Sequence, residues 1–362
     1  MAARRFLGLD GLRGVCALSV LLYHSSNFFC RGGVLQHGYL AVDVFFILSG
    51  FVIALNYEEK LKKGGSALEF LRSRGRRLFP TYWLGATLNL AVFLSIAVMG
   101  LLFVGDSWWM IWLYVPLATL LMMPDFITPD GTLYPGMEGV TWSLFLEWVA
   151  YIGYAVGGFR CKTATLVMIG VCGWILMAIA GSHSVEGWSG GGTRPTLFNI
   201  GLLRCIPAFA AGIVLYRIHR HNLFSRLPVV RTEILLVAWI AVAAVPATGP
   251  TPIFDAMVVP LFCPVLIALL IRADGKSPGY YKWLGALSYP LYVAHPGIVL
   301  LAHYTTVFGR FDRPHPLNGL LVIALCVAAA WLIMEAAARI KRKQGSGLGV
   351  QPSAPKLTYE LS

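Results

Sequence analysis

Apolar residues run through this chain in long blocks separated by short polar breaks. About 20 consecutive apolar residues are needed for a helix to cross a bilayer. Blocks of that kind fall near 11–30, 39–56, 80–104, 141–158, 163–181, 196–216, 232–248, 253–271, 283–304 and 317–338. A shorter block, 108–123, lies between Asp106 and Pro124 and carries WWMIWLY. Trp and Tyr favour the membrane interface, so this block is expected to re-enter or lie flat. The pattern predicts an all-α, polytopic transmembrane bundle of about ten spans with one re-entrant or interfacial segment.

Charge gives that bundle an orientation. With the N-terminus placed inside, 23 of the 29 Lys and Arg residues fall in inner segments and four (Arg31, Arg194, Arg310, Arg313) in outer ones. The remaining two, Arg13 and Arg204, fall inside spans. Such asymmetry is the positive-inside signature, and an even number of spans then puts both termini in the cytoplasm. The segment 105–140 has four acidic residues and no Lys or Arg, in keeping with an outer location. The net charge of +12 is thus a property of inner loops, and no nucleic-acid partner is expected.

Composition agrees. Of 362 residues, 57% are hydrophobic and 13% charged, about half the charged share of a soluble domain. The seven cysteines are scattered, with no CxxC pair, which favours packing over zinc or a disulfide framework. The apolar start carries Asp10, Arg13 and His24, so a retained first span is expected rather than a cleaved signal. Residues 1–340 read as one membrane domain. Residues 341–362, rich in Gly, Ser and Pro after Lys343, read as a disordered cytoplasmic tail.

Ionisable groups inside spans are costly and therefore informative. Arg13 and His24 are eleven residues apart, which places them on one helix face about 16 Å apart along the axis. Asp10 is one turn before Arg13 and could pair with it. Counted inward from the span ends, His24, Asp43, Glu147, Arg204 and His295 fall in one outer-half layer. This predicts a polar cavity holding histidine, carboxylates and an arginine. Arg72, Arg74, Arg76 and Arg77 stand at the inner entrance of the third span, before Tyr82. They suit either lipid headgroups or bidentate phosphate recognition. Simpler roles exist for several groups. Asp43 could sit at a helix N-terminus, Arg204 could neutralise a carboxylate, and His303 and Glu335 could snorkel. His37, His183, His219, His221 and His315 are expected in solvated loops. No set of residues has metal-ligand spacing, so no metal is expected.

Several segments together resemble a known family. FLGLDGLRGVCALSVLLYH, with Arg13 ten intervening residues before His24, is similar to the opening signature of the acyltransferase 3 family of integral membrane acyltransferases. YLAVDVFFILSGFVI, FLRSRGRRLFPTYW, VTWSLFLEWVAY and LGALSYPLYVAHP resemble its later motifs, in order, from about residue 6 to 340. One departure is Trp148, where the family often has a second Glu after the first. Some members carry a C-terminal hydrolase-like domain; this sequence ends about 20 residues past its last span, and none is expected.

The resemblance implies transfer of an acyl group, commonly acetyl from acetyl-CoA, to a hydroxyl of a carbohydrate or cell-envelope acceptor. The expected setting is a bacterial inner membrane. In that reading His24 is the general base, and Asp43 or Glu147 orients it as part of the catalytic set. Arg13, Arg74, Arg76, Arg77 and Tyr82 bind the acyl-CoA. Trp142, Ser143, Arg204 and His295 face the acceptor. A transporter of sugars or envelope precursors is the main competing expectation, since buried charges fit it equally well.

Overall fold

In the computed structural model, residues 5–30, 33–99, 110–123, 138–183, 198–247, 251–273, 278–305 and 314–346 are described. Every regular element among them is helical. The helices are α1 (Leu7–His24), α2 (Ala41–Lys62), α3 (Ala67–Val98), α4 (Val115–Leu120), α5 (Glu138–Val156) and α6 (Thr163–His183). They continue with α7 (Phe198–Arg220), α8 (Thr232–Ala243), α9 (Thr251–Met257), α10 (Cys263–Arg272), α11 (Tyr281–Thr305) and α12 (Pro316–Ser346). A π-type turn, Val258–Phe262, joins α9 and α10 into one rod.

Among the described residues, seven helical segments are long and apolar enough to cross a membrane: Gly38–Lys62, Ala67–Val98, Thr163–His183, Phe198–Arg220, Pro252–Arg272, Tyr281–Tyr304 and Pro316–Ile340. The other three predicted spans overlap α1, which carries Asp10 and Arg13, and the shorter apolar segments Val140–Val156 and Thr232–Ala243. The described part of the block at 108–123, residues 110–123, forms a π-type turn, Met110–Tyr114, followed by the six-residue α4. It is too short to cross and lies on α3, where the Tyr82 hydroxyl donates to the Thr119 carbonyl at 2.5 Å.

Two boundaries extend beyond expectation. First, α3 begins at Ala67 rather than near 80. Ser66 caps it by accepting the Glu69 amide at 3.3 Å, the first half of a capping box, so the arginine-rich stretch is helical. Second, α12 continues to Ser346. Residues 341–346 therefore extend a helix, because Lys, Arg and Gln are good helix formers. The rest of the expected tail, 347–362, lies outside the described residues. So do Asp106, Asp125, Asp130 and the four outer arginines.

Which helices turn outward follows from composition. On α6, Val167, Met168, Val171, Ile175 and Ile179 are exposed, and on α12 Leu317, Leu320, Leu321, Leu325 and Leu332. These stripes suit lipid contact. By contrast α2 is apolar all round and largely enclosed, as a central helix should be.

Two close pairings frame the site. Along α1 and α11, Gly11 meets Tyr281, Gly14 meets Leu284 and His24 meets His295. The near-constant offset makes these helices parallel. Along α2 and α7, Asp43 meets Arg204, Gly50 meets Phe209 and Glu58 meets Arg217, so these also run parallel. Spans one and nine, and spans two and six, have the same direction in the ten-span reading.

The α2–α7 contact is backbone to backbone. A Cβ at Gly212 would stand 2.0 Å from the Ile47 carbonyl oxygen, and one at Gly50 2.1 Å from that of Phe209. Small residues permit this approach in membrane bundles. Gly212→Ala is expected to force the helices apart and lower the melting temperature in detergent sharply. A melt within 2 °C of wild type, on the order of the shift from a sub-kcal/mol change, would refute it.

Candidate active site

The five polar groups predicted in one layer sort into three separate hydrogen-bonded units, each built across different helices.

The first unit is a histidine pair. Helix α1 ends at His24, not near residue 30, so His24 stands at a helix end with an exposed ring. Its Nδ1 is 2.9 Å from Nε2 of His295, which is 1% exposed. The Nδ1 of His295 is 3.1 Å from the Leu291 carbonyl. Around His295, α11 is interrupted by Pro290 and Pro296. Asn89 of α3 braces this stretch, donating to the Val293 carbonyl at 2.9 Å and accepting the Gly297 amide at 3.0 Å. A side chain inserted in this way fixes the local course of a proline-interrupted helix.

The second unit is an enclosed ion pair. Arg204 donates to Asp43 through Nη2 at 2.6 Å and Nε at 3.2 Å. Its Nη2 also reaches the Tyr39 carbonyl at 3.0 Å, and its guanidinium lies 5.3 Å above the Trp142 ring. Asp43 and Arg204 are 0% and 1% exposed. Asp43 therefore meets Arg204 and not His24. Trp142 meets Arg204 as well.

A further cluster adjoins this pair. Tyr39 donates to Asp255 at 2.6 Å, and His37 Nδ1 lies 3.2 Å from the same carboxylate. His37 is 2% exposed, so the expectation of a solvated His37 is wrong. Its amide donates to the Ala243 carbonyl, which draws this turn under α8. His219 is likewise not in a loop but on α7, packed against Phe6 and Phe51.

The third unit surrounds Glu147. The hydroxyls of Ser49 (2.6 Å) and Tyr151 both donate to Glu147 Oε1, and Arg74 Nη2 donates to the Tyr151 hydroxyl at 3.4 Å. Neither Ser49 nor Tyr151 was among the sequence candidates. Tyr151, four residues after Glu147 and so on the same helical face, could have been found that way; Ser49 carried no signal. Glu147 thus meets Ser49 and Tyr151, not His24.

The arginine set divides by helical geometry. Arg72 and Arg76 are one turn apart and exposed, whereas Arg74 is buried and Arg77, three residues on, is half-buried. Arg74 and Arg13 line a cavity with Ser49, Glu147, Ser143 and Tyr292. The Nε of Arg74 is buried with no hydrogen-bond partner among the described residues. Asp10 pairs with Arg5 at 2.6 Å instead of Arg13, because Arg5 reaches the first turn of α1 from just outside it. Tyr82 points to α4 and does not join the arginines.

The cavity extends along α11 from Ser288 to Tyr292, one turn before His295. There the Ser143 hydroxyl donates to the Val140 carbonyl at 2.9 Å, so the Tyr292 hydroxyl is the donor in its 2.6 Å bond to Ser143. The walls are mostly apolar, including Val42, Phe45, Phe46 and Leu144. Among the described residues no three His, Cys, Asp or Glu side chains converge as metal ligands.

A multi-pass helical protein with a mostly apolar pocket between its helices, carrying two arginines and a carboxylate in its lining, is the class these features define. Residues 6–335 match the family of the acyltransferase domain, and the chain belongs to that family. It is therefore an integral membrane acyltransferase. It is 36% identical over 185 residues to Protein 2 in picA locus of Rhizobium radiobacter, covering 49% of this chain and 95% of that one. It is 30% identical over 159 residues to Acyltransferase MdmB of Streptomyces mycarofaciens, covering 41% of this chain and 38% of that one. It is 36% identical over 83 residues to O-acetyltransferase OatA of Staphylococcus aureus, covering 22% and 13%. The chain thus spans well under half the length of the latter two relatives. No solved structure matches it.

Proposed function

We propose that the protein transfers an acyl group, acetyl by preference, from acyl-CoA to a hydroxyl of a carbohydrate or cell-envelope acceptor, with His24 as the general base. One observation carries the reading. A cavity with Arg13 and Arg74 in its lining ends one turn from a histidine pair whose outer ring is exposed. Its two kinds of polar group serve the two substrates of acyl transfer.

The donor supplies an activated thioester and several anionic oxygens. Arg74 offers a buried Nε whose hydrogen bond is unmade among the described residues, and such a group gains strongly from an oxygen acceptor. Ser49 and Tyr151 hold Glu147 in place, so its carboxylate helps keep Arg74 oriented through the Tyr151 hydroxyl. The apolar walls exclude water from the acyl group. At the other end, His24 takes the proton of the attacking hydroxyl, and that oxygen bonds to the acyl carbon as the C–S bond breaks. Cytoplasmic termini on a ten-span bundle would put the arginines inside and His24 near the outer face. Donor and acceptor would then approach from opposite sides of a bacterial cell membrane, where lipid is the third partner.

The test is transfer of labelled acetyl from acetyl-CoA by purified protein in proteoliposomes to supplied glycan acceptors. Label on the acceptor is expected. Acceptor uptake without any donor requirement would replace this reading with a transporter. In the same assay Arg74→Ala is expected to raise the KM for acyl-CoA at least about tenfold, as loss of one charged hydrogen bond would. Arg76→Ala, at an exposed position, should change it less than about twofold. Equal effects of the two would refute the division of the arginine set.

A further inference from the structure

We infer that His295 is a positioning residue that fixes the tautomer of His24, and that it does so as a neutral acceptor, with no carboxylate among the described residues completing the pair. The inference rests on the reading of His24 as the base.

The hydrogen-bond chain allows one neutral assignment. The Leu291 carbonyl can only accept, and it lies 3.1 Å from Nδ1 of His295. The Tyr292 carbonyl faces the same ring, and Pro296, with no N–H, leaves it without its usual helical donor. Nδ1 of His295 must therefore carry the proton. In a neutral imidazole the other nitrogen is then an acceptor. The group 2.9 Å from that Nε2 is Nδ1 of His24, which must be the donor. Nε2 of His24 is left with its lone pair, the form a base needs.

The ring geometry agrees. The two rings are 16° from coplanar with centroids 5.1 Å apart. Together with the 2.9 Å N···N distance, this describes rings meeting edge to edge along the hydrogen bond, not face to face. The two carboxylates expected from sequence to orient His24 are engaged elsewhere, Asp43 with Arg204 and Glu147 with Ser49 and Tyr151. When Nε2 of His24 takes the acceptor's proton, Nδ1–H stays in place. The bond to His295 then becomes charge-assisted and shorter. The parallel α1–α11 contact through Gly14 and the Asn89 brace on α11 hold both rings at this meeting point.

In a Ser-His-Asp triad, loss of the correct histidine tautomer costs about 10⁴ in kcat. A neutral orienter should matter less. His295→Leu is expected to lower kcat about 10²-fold, at the low end of what a positioned base contributes, with KM for donor and acceptor within twofold. His295→Gln places an amide oxygen near the former Nε2 and should recover at least about tenfold of that loss by accepting the same proton. The direct measurement is ¹⁵N NMR of histidine-labelled wild-type protein in bilayers, with His24→Ala to assign the signal. The proton is expected on Nδ1 of His24, with Nε2 bare. A wild-type His24 protonated on Nε2, or equal kcat for the Leu and Gln variants, would overturn the inference. Full activity of His24→Ala would overturn the base assignment instead, and the tautomer measurement separates the two failures.

Discussion

His24→Ala should lose acyl transfer by about 10³-fold in kcat, within the 10²–10⁴ range of a positioned general base, while still binding the acyl donor with near-normal affinity. The two halves of this expectation come from distance. His24 lies about 16 Å along α1 from Arg13, so trimming its ring leaves the arginine end of the cavity untouched. Stability should change little, because the ring is exposed and sits at the end of α1. The measurement is label transfer beside equilibrium binding of acyl-CoA to the same preparation. Transfer by His24→Ala at the wild-type rate would remove His24 from the chemistry. A parallel loss of donor binding would show that the cavity and the histidine pair are one site.

The largest stability effect is expected at the Asp43–Arg204 pair. Both side chains are fully enclosed and doubly bonded to each other. Removing one partner of such a pair leaves a buried charge and typically costs 3–5 kcal/mol, roughly, whereas replacing both by apolar residues is often neutral. Asp43→Leu and Arg204→Met should each collapse the yield of folded protein. The double variant should melt close to wild type, giving a large coupling in the mutant cycle. The neighbouring Tyr39–Asp255–His37 cluster keeps its own hydrogen bonds. The double variant should therefore also retain acyl transfer, since Asp43 meets Arg204 and not His24. A stable but inactive double variant would return Asp43 to the catalytic set.

Sequence patterning was sufficient for the helices because each apolar block carries its own requirement to leave water, and length alone tells a span from the stub at 108–123. It was sufficient for Arg13 and His24 because both ride on one helix, where 3.6-residue geometry fixes their relation. The division of the arginines was also latent there. Once the stretch is helical, Arg72 and Arg76 share one face while Arg74 and Arg77 share another. The apolar block begins near Pro80, but the helix begins at Ala67, where Ser66 accepts the Glu69 amide.

Pairing across helices was not legible. His24, Asp43, Glu147, Arg204 and His295 lie at similar depths by residue count from the span ends, but depth is one coordinate and a hydrogen bond needs three. Rotation of each helix about its axis and the choice of neighbours come from packing, here from contacts such as Gly50 and Gly212 that let α2 and α7 touch. Asp10 illustrates the point, since Arg13 was the local choice and Arg5 the actual partner. So does His37, a loop residue in sequence that the fold tucks against Asp255. By itself the sequence determined a charge-asymmetric membrane bundle of this family and the residues able to do its chemistry. Only the tertiary structure decided that His24 meets a histidine rather than a carboxylate, because that choice depends on which side chains share a few ångströms of the interior.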